Sequence, residues 1–114
     1  MTTSPIVTQG LEFVARRRYG TLVVALSGEL DLVSAPELER FLRDLEPAED
    51  VVALDLTGLW FIDSSGLRVL LAENERGQMD GYRLVLVGVH GDVLDTLRLI
   101  GLDRVLPMAP ALAI

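Results

Sequence analysis

Two adjacent serines, Ser64 and Ser65, are the residues of this sequence best suited to reversible chemistry. They follow Asp63 and an apolar segment that ends at Ile62, and they precede Gly66 and a run with helical apolar spacing. The order predicts a strand-to-helix junction, where free N–H groups and the helix dipole tolerate added negative charge. A serine placed there can accept a phosphate without unfolding the chain, and the phosphate changes what binds.

Catalysis by either serine finds no support in the spacing. The Gly-x-Ser-x-Gly elbow is absent, because Asp63 lies two residues before Ser65 and Ile62 two residues before Ser64. The single histidine, His90, is typical of a turn or a helix start and has no triad spacing. Alternatively, Asp63 and the two serines only cap the helix and have no further role; the motif alone does not decide between this interpretation and a phosphorylation site.

Composition excludes several other classes of protein. The chain has 114 residues, one histidine and no cysteine, so disulfides and thiolate metal sites are absent. The carboxylates of Asp31, Asp55 and Asp63 could together bind a metal ion that prefers oxygen ligands, but helix caps and turns explain these residues equally well. We therefore predict no metal and no cofactor. The net charge of −7 disfavours nucleic acids and anionic membranes as partners. No signal-peptide pattern and no apolar run of ~20 residues is found, so we expect a cytoplasmic protein.

Apolar periodicity predicts a hairpin followed by alternating helices and strands. The hairpin runs over residues 11–15 and 21–27 and turns at Tyr19-Gly20. A first helix begins with a capping box at Ser34 and Glu37 and ends at Pro47. Its predicted inward face is Leu38, Phe41, Leu42 and Leu45.

The second half of the chain continues the alternation. A strand over residues 51–56 reaches a buried end at Trp60-Phe61-Ile62, and a helix capped by Asp63 follows, ending at Gly77. A strand over residues 83–89, a helix from Asp92 to Gly101, and a short strand at Val105-Leu106 complete the pattern. The predicted inward residues are Leu67, Leu70 and Leu71 in the second helix, and Val93, Leu94, Leu97 and Ile100 in the third.

The order ββαβαβα(β) predicts one α/β domain. Strands joined by helices pair in parallel, so we expect a mixed sheet of four to five strands with helices mainly on one face. The domain is expected over residues 11–106, after a lead-in at 1–10 and before a tail at 107–114.

An ordered set of segments gives the chain a family resemblance. Gly28-Glu29-Leu30-Asp31 is followed by the run from Leu54 to Leu59, the motif from Phe61 to Leu67, and the strand from Arg83 to Val89. Over residues 11–106 the chain resembles the STAS domains of bacterial anti-sigma-factor antagonists. The resemblance implies partner switching: the antagonist binds an anti-sigma factor and so releases a sigma factor for transcription. The anti-sigma factor is a serine kinase that phosphorylates the antagonist, and a metal-dependent serine phosphatase reverses the modification.

The resemblance also implies roles for individual residues. Ser65 corresponds to the phosphoacceptor, with Ser64 as the second choice, and Asp31 corresponds to an acid close to that serine. The partner-binding face is expected to comprise Asp31, Asp63, Ser64, Ser65, Gly66 and Arg68. Arg68 departs from the family pattern, in which a small residue often follows Gly-Leu.

Two alternatives stay open at this point. One keeps the STAS fold and makes the chain a non-phosphorylated subunit of a lipid-transport system or a signalling assembly. The other is a small serine hydrolase, which would be labelled at Ser65 by a fluorophosphonate probe. The leading hypothesis is a regulatory module that is not an enzyme.

Overall fold

The N-terminal half of the sheet is an antiparallel meander. The computed structural model describes residues 2–45 and 49–111. Strands β1 (Ile6–Thr8), β2 (Leu11–Arg18) and β3 (Thr21–Leu30) pair antiparallel in order. The two-residue turn between β2 and β3 has positive φ at Tyr19 and Gly20, which matches the twist of a hairpin. The predicted hairpin is therefore confirmed, and β1 lies in the segment predicted as a lead-in.

The C-terminal half of the sheet is parallel. Strands β4 (Val51–Ile62), β5 (Arg83–Val87) and β6 (Met108–Ala109) follow β3 in sheet order. Across the described residues the sheet is mixed, as predicted, but has six strands instead of four to five. The additional strands are the edge strands β1 and β6, of three and two residues, which are too short to show periodicity. The strand predicted at Val105-Leu106 is wrong: Val105 ends a 3-10 turn, and β6 lies three residues later.

Three helices in the described residues pack on one face of the sheet. Helices α1 (Ala35–Asp44), α2 (Ser64–Asp80) and α3 (Gly91–Leu99) share one apolar cluster with alternate residues of β2 to β5. The predicted inward residues of α1 and α2 all belong to it or pack against it. A smaller cluster lies on the opposite face, since its residues alternate with those of the main core: Val23, Ala53, Val85 and Val87.

Several predicted helix ends differ from the structure. Gly77 does not end α2, which continues to Asp80 before Gly81 adopts a left-handed conformation. Gly77 is buried instead against the segment that follows the helix, where a Cβ would lie 2.7 Å from the carbonyl oxygen of Tyr82. Ile100, predicted to face inward in the third helix, follows the end of α3 and is exposed, so it is not part of the core. The predicted stop at Pro47 lies outside the described residues.

Candidate functional site

Asp63 caps helix α2, as its position in the sequence predicts. One carboxylate oxygen, Oδ1, accepts hydrogen bonds from the backbone N–H groups of Ser65 (2.8 Å) and Gly66 (3.1 Å). These are two of the N–H groups that a helix start leaves without an internal partner. The cap holds the two serines in a defined backbone conformation at the end of β4.

The other carboxylate oxygen of Asp63 reaches a different segment. Oδ2 accepts a hydrogen bond from the N–H of Leu32 at 3.0 Å, in the loop between β3 and α1. The N–H of Asp63 itself donates to the carbonyl oxygen of Leu30 at 3.2 Å. Asp63 therefore links the loop that contains Asp31 to the start of the helix that contains Ser65.

Asp31 organises the loop before α1. Its Oδ1 accepts hydrogen bonds from the N–H groups of Val33 (3.0 Å) and Ser34 (3.1 Å). The bond from the Ser34 N–H, the largest contribution, holds the pKa of the Asp31 carboxyl below its ordinary value. The N–H of Ala35 also donates to the Asp31 carbonyl oxygen at 2.8 Å, so helical bonding begins one turn before α1.

The capping box predicted at Ser34 and Glu37 is wrong. The Ser34 side chain is buried and makes no cap bond to α1. Its hydroxyl donates to the carbonyl oxygen of Glu29 at 2.9 Å and accepts from the N–H of Asp31 at 3.0 Å. Because Asp31 already accepts the N–H groups of this turn, the Ser34 hydroxyl is free to hold the loop against the end of β3.

The two serines differ in exposure. Ser64 is exposed, whereas Ser65 is half-buried and faces a cleft of about 190 Å³ between α1 and α2. We call this the acceptor cleft; its lining includes Leu32, Pro36, Glu39, Ser65, Arg68 and Val69. Arg68 is exposed at the cleft. The choice of Ser65 as the phosphoacceptor stays a prediction.

Gly66 lies under the site and not on its surface. It is buried, and a Cβ there would approach the carbonyl oxygen of Leu30 and Cγ1 of Ile62 to 2.7 Å each. Glycine thus allows α2 to pack directly on the ends of β3 and β4. Any contact of Gly66 with a partner stays a prediction.

Exposed apolar side chains surround the junction, and we call them the apolar rim: Leu32 (73% exposed), Val33 (55%), Trp60 (61%) and Phe61 (42%). The rings of Trp60 and Phe61 lie 6.3 Å apart between centroids. The sequence interpretation placed both aromatic residues in a buried strand end, which is wrong. In the register, Gly28 pairs with Leu59 and Glu29 with Phe61, so Trp60 is an extra residue in β4. Such a bulge interrupts the inward and outward alternation, and the sequence carries no signal for it.

The alternative chemistry considered for this region finds no support in the geometry. The His90 ring nitrogen Nε2 lies 2.7 Å from the carbonyl oxygen of Thr57, and among the described residues no hydrogen bond joins it to either serine. Asp55 accepts hydrogen bonds from the backbone N–H and the hydroxyl of Thr57, and it takes no part in the hydrogen bonds of Asp31 and Asp63 described above. Within residues 2–45 and 49–111, no group of three or more potential ligands could hold a metal ion.

Comparison with known proteins assigns the family. The STAS domain family matches residues 12–113 of the chain, and the chain belongs to that family. Over 89 residues it is 34% identical to an anti-sigma-F factor antagonist, RsfB, of Mycobacterium tuberculosis, covering 75% of this chain and 70% of that protein.

In the part of the chain that the structure describes, no helix is long and apolar enough to cross a membrane.

Solved structures agree with this assignment. A crystal structure of an anti-sigma factor antagonist from Mycobacterium paratuberculosis superimposes with a TM-score of 0.81 at 27% identity, covering 93% of this chain and 91% of that one. The phosphorylated form of the Bacillus cell-fate determinant SpoIIAA has a TM-score of 0.69 at 21% identity, covering 88% and 91%. At that identity the second likeness concerns the fold alone.

Proposed function

We propose that this protein is an anti-sigma-factor antagonist of the bacterial cytoplasm, a binding module without catalysis of its own. It binds an anti-sigma factor that is a serine kinase, and thereby frees a sigma factor. Phosphorylation of Ser65 ends the complex, and a metal-dependent serine phosphatase restores it. The observation that carries the proposal is the position of Ser65: it lies at a capped helix start beside an exposed apolar rim, in a chain whose relatives are named as such antagonists.

The apolar rim supports binding to another protein. Its four side chains come from two segments, the β3–α1 loop and the end of β4, which Asp63 holds together. Aromatic residues are enriched among those that dominate binding energy, and they act best where water is excluded. A partner that covers Trp60 and Phe61 would also cover the nearby serines.

The switch follows from the chemistry of the hydroxyl. The kinase would transfer the γ-phosphoryl group of ATP: Ser65 Oγ forms the new bond to phosphorus, the bond to the ADP oxygen breaks, and the hydroxyl proton is released. The product carries about −1.5 to −2 charge at pH 7. A surface fitted to a neutral hydroxyl then meets bulk and charge, and every 1.4 kcal/mol lost weakens binding about tenfold.

The domain is expected to stay folded when it is phosphorylated. Ser65 is half-buried at the edge of the acceptor cleft, and the main core lies beneath Gly66 and Leu70. The modification therefore acts on the interface and not on the core.

The test uses the kinase-class anti-sigma factor of the same genome with Mg²⁺ and ATP. Tandem mass spectrometry is expected to place the phosphate on Ser65, and titration calorimetry to show loss of binding after modification. Ser65→Ala should bind constitutively, and Ser65→Asp should bind poorly with a native circular-dichroism spectrum. The matched control is Ser64→Ala, which should still be phosphorylated and released. Phosphate on another residue, or unchanged affinity after full phosphorylation, would overturn the proposal, and the non-phosphorylated alternative would then be favoured.

A further inference from the structure

Ser65 and Arg68 lie on the same side of helix α2. Residues three apart on a helix are surface neighbours, and both side chains line the acceptor cleft. Arg68 is exposed, and within the described residues it forms no ion pair. Its guanidinium is therefore available to a new anion in the cleft.

Three of the backbone N–H groups at the start of α2 already have acceptors within the chain. The N–H groups of Ser65 and Gly66 already donate to Asp63 Oδ1, and the N–H of Leu67 donates to the Asp63 carbonyl oxygen at 3.0 Å. The carboxylate of Asp63 also places a negative charge beside the acceptor. A cation beside the cleft would offset the repulsion between this carboxylate and an added phosphate.

Of the charged groups around the cleft, Arg68 is the candidate cation for binding a phosphate. On α1, Glu39 is paired with Arg43 at 2.7 Å. The carboxylates of Asp31 and Asp63 accept backbone N–H groups. Among the described residues that line the acceptor cleft, Arg68 is the single cation.

The cleft has room for the modification. Phosphorylation replaces a proton by one phosphorus and three oxygen atoms, while a single water molecule takes roughly 30 Å³ in the liquid. The volume of the cleft, about 190 Å³, is several times that share, which leaves room for this group.

We propose that Arg68 binds the phosphate of phosphorylated Ser65 within the same chain, an inference that rests on Ser65 being the phosphoacceptor. The guanidinium offsets the repulsion from Asp63 and holds the phosphate in the acceptor cleft. Arginine is well suited to this role because its planar fork of donors matches phosphate oxygens. Arg68 thereby stabilises the released, phosphorylated form of the protein.

The test installs phosphoserine at position 65 during translation, by suppression of an amber codon, and follows the ³¹P resonance with pH. A nearby cation favours the dianion and lowers the second pKa of the phosphate, which is ordinarily about 6. Arg68→Gln is therefore expected to raise that pKa by roughly one unit, the weak end of the range for a nearby opposite charge, because the site is exposed. The difference should shrink in 1 M salt, where the screening length is about 3 Å.

Two matched variants complete the experiment. Arg68→Lys should retain most of the effect because it keeps the charge. Arg98→Gln, which removes the same charge from an exposed position on α3, should leave the pKa unchanged. Equal pKa values with and without Arg68, or an equal shift for Arg98→Gln, would overturn the inference. So would a larger effect of Arg68 on phosphoserine at position 64. Because no kinase is used, these outcomes are independent of the kinase and affinity experiment that tests the proposed function.

Discussion

The carboxylate of Asp63 accepts the N–H of Leu32 across 3.0 Å, although the two residues are 31 positions apart in the chain. The same carboxylate caps α2 through its other oxygen. One side chain therefore links the start of α2 to the loop of Asp31 and to the apolar rim.

We expect Asp63→Ala to lower the free energy of unfolding by roughly 1–3 kcal/mol. Loss of an N-cap typically costs about 1 kcal/mol, and the charge-assisted bond to Leu32 adds to it. Chemical denaturation measures the change, and hydrogen exchange should show a less protected Leu32 amide. Asp92→Ala is the control, since Asp92 is exposed in the first turn of α3 and receives no cap bond. Equal stability of the two variants would contradict the linking role of Asp63.

We expect Gly66→Ala to destabilise the domain by roughly 1–3 kcal/mol, the range for an overpacked core. The added methyl group would lie 2.7 Å from the carbonyl oxygen of Leu30. Inside a helix, alanine is about 1 kcal/mol more favourable than glycine in intrinsic propensity. A loss of stability would therefore have to come from the close contact. A melting temperature of the variant equal to or above that of the unsubstituted protein would show that the backbones of α2 and β3 are not in close contact.

Trp60→Ala should weaken binding to the anti-sigma factor with little change in stability. Its side chain is largely exposed in the free protein, so truncation removes partner contacts and few internal ones. A central aromatic anchor is worth about 2 kcal/mol or more, which corresponds to roughly 30-fold in affinity. Tyr19→Ala is the matched control: Tyr19 is 96% exposed at the hairpin turn, at the end of β3 opposite the site. Calorimetry that gave similar affinities for the two variants would remove Trp60 from the interface.

Asp31→Ala should lose stability as well as partner binding, because the carboxylate accepts two N–H groups of its loop. The folded pKa of Asp31 is lowered, chiefly by the Ser34 N–H, so its contribution is present above the ordinary value of about 3.9. The contribution disappears as the pH falls through the lower folded pKa. Denaturation at several pH values should therefore show a constant gap between the two proteins from pH 7 to 5, closing below pH 4. A gap that does not narrow at all below pH 4 would contradict this assignment.

The Tyr82 hydroxyl donates to Glu73 Oε2 at 2.9 Å, beneath α2. Burial, followed by this bond, raises the pKa of Tyr82 to about 12. Its contribution to stability is full below the ordinary pKa of about 10 and is lost as the pH rises through 12. At pH 7 the free energy of unfolding of Tyr82→Phe should be lower by roughly 1–3 kcal/mol, because the buried Glu73 oxygen loses its donor. The variant should not show the further loss of stability at alkaline pH. Absorbance of tyrosinate provides the check: the part of the alkaline transition that is missing from Tyr82→Phe belongs to Tyr82 and should have its midpoint near pH 12. A midpoint near pH 10 for that part would contradict the assignment.

The sequence by itself determined the three helices, the longer strands and much of their burial. The hairpin turn at Tyr19-Gly20, the Asp63 cap and the apolar stripe of α2 follow from turn chemistry, capping and periodicity, which act over a few residues. Such short-range preferences are encoded locally, so they can be recognised without knowing the fold. The ordered motifs also indicated the family, which the match over residues 12–113 confirms.

Only the tertiary structure decided how the site is assembled. The register shift that makes Trp60 an extra residue of β4 depends on pairing with β3, and it converts a supposed buried strand end into an exposed apolar rim. Ser34 and Gly77 likewise have roles set by segments that pack against them, the end of β3 and Tyr82. The second oxygen of Asp63 bonds to Leu32 because β3 and β4 end side by side. Contacts of this kind depend on which chain segments are neighbours in space, and no local pattern in the sequence specifies that.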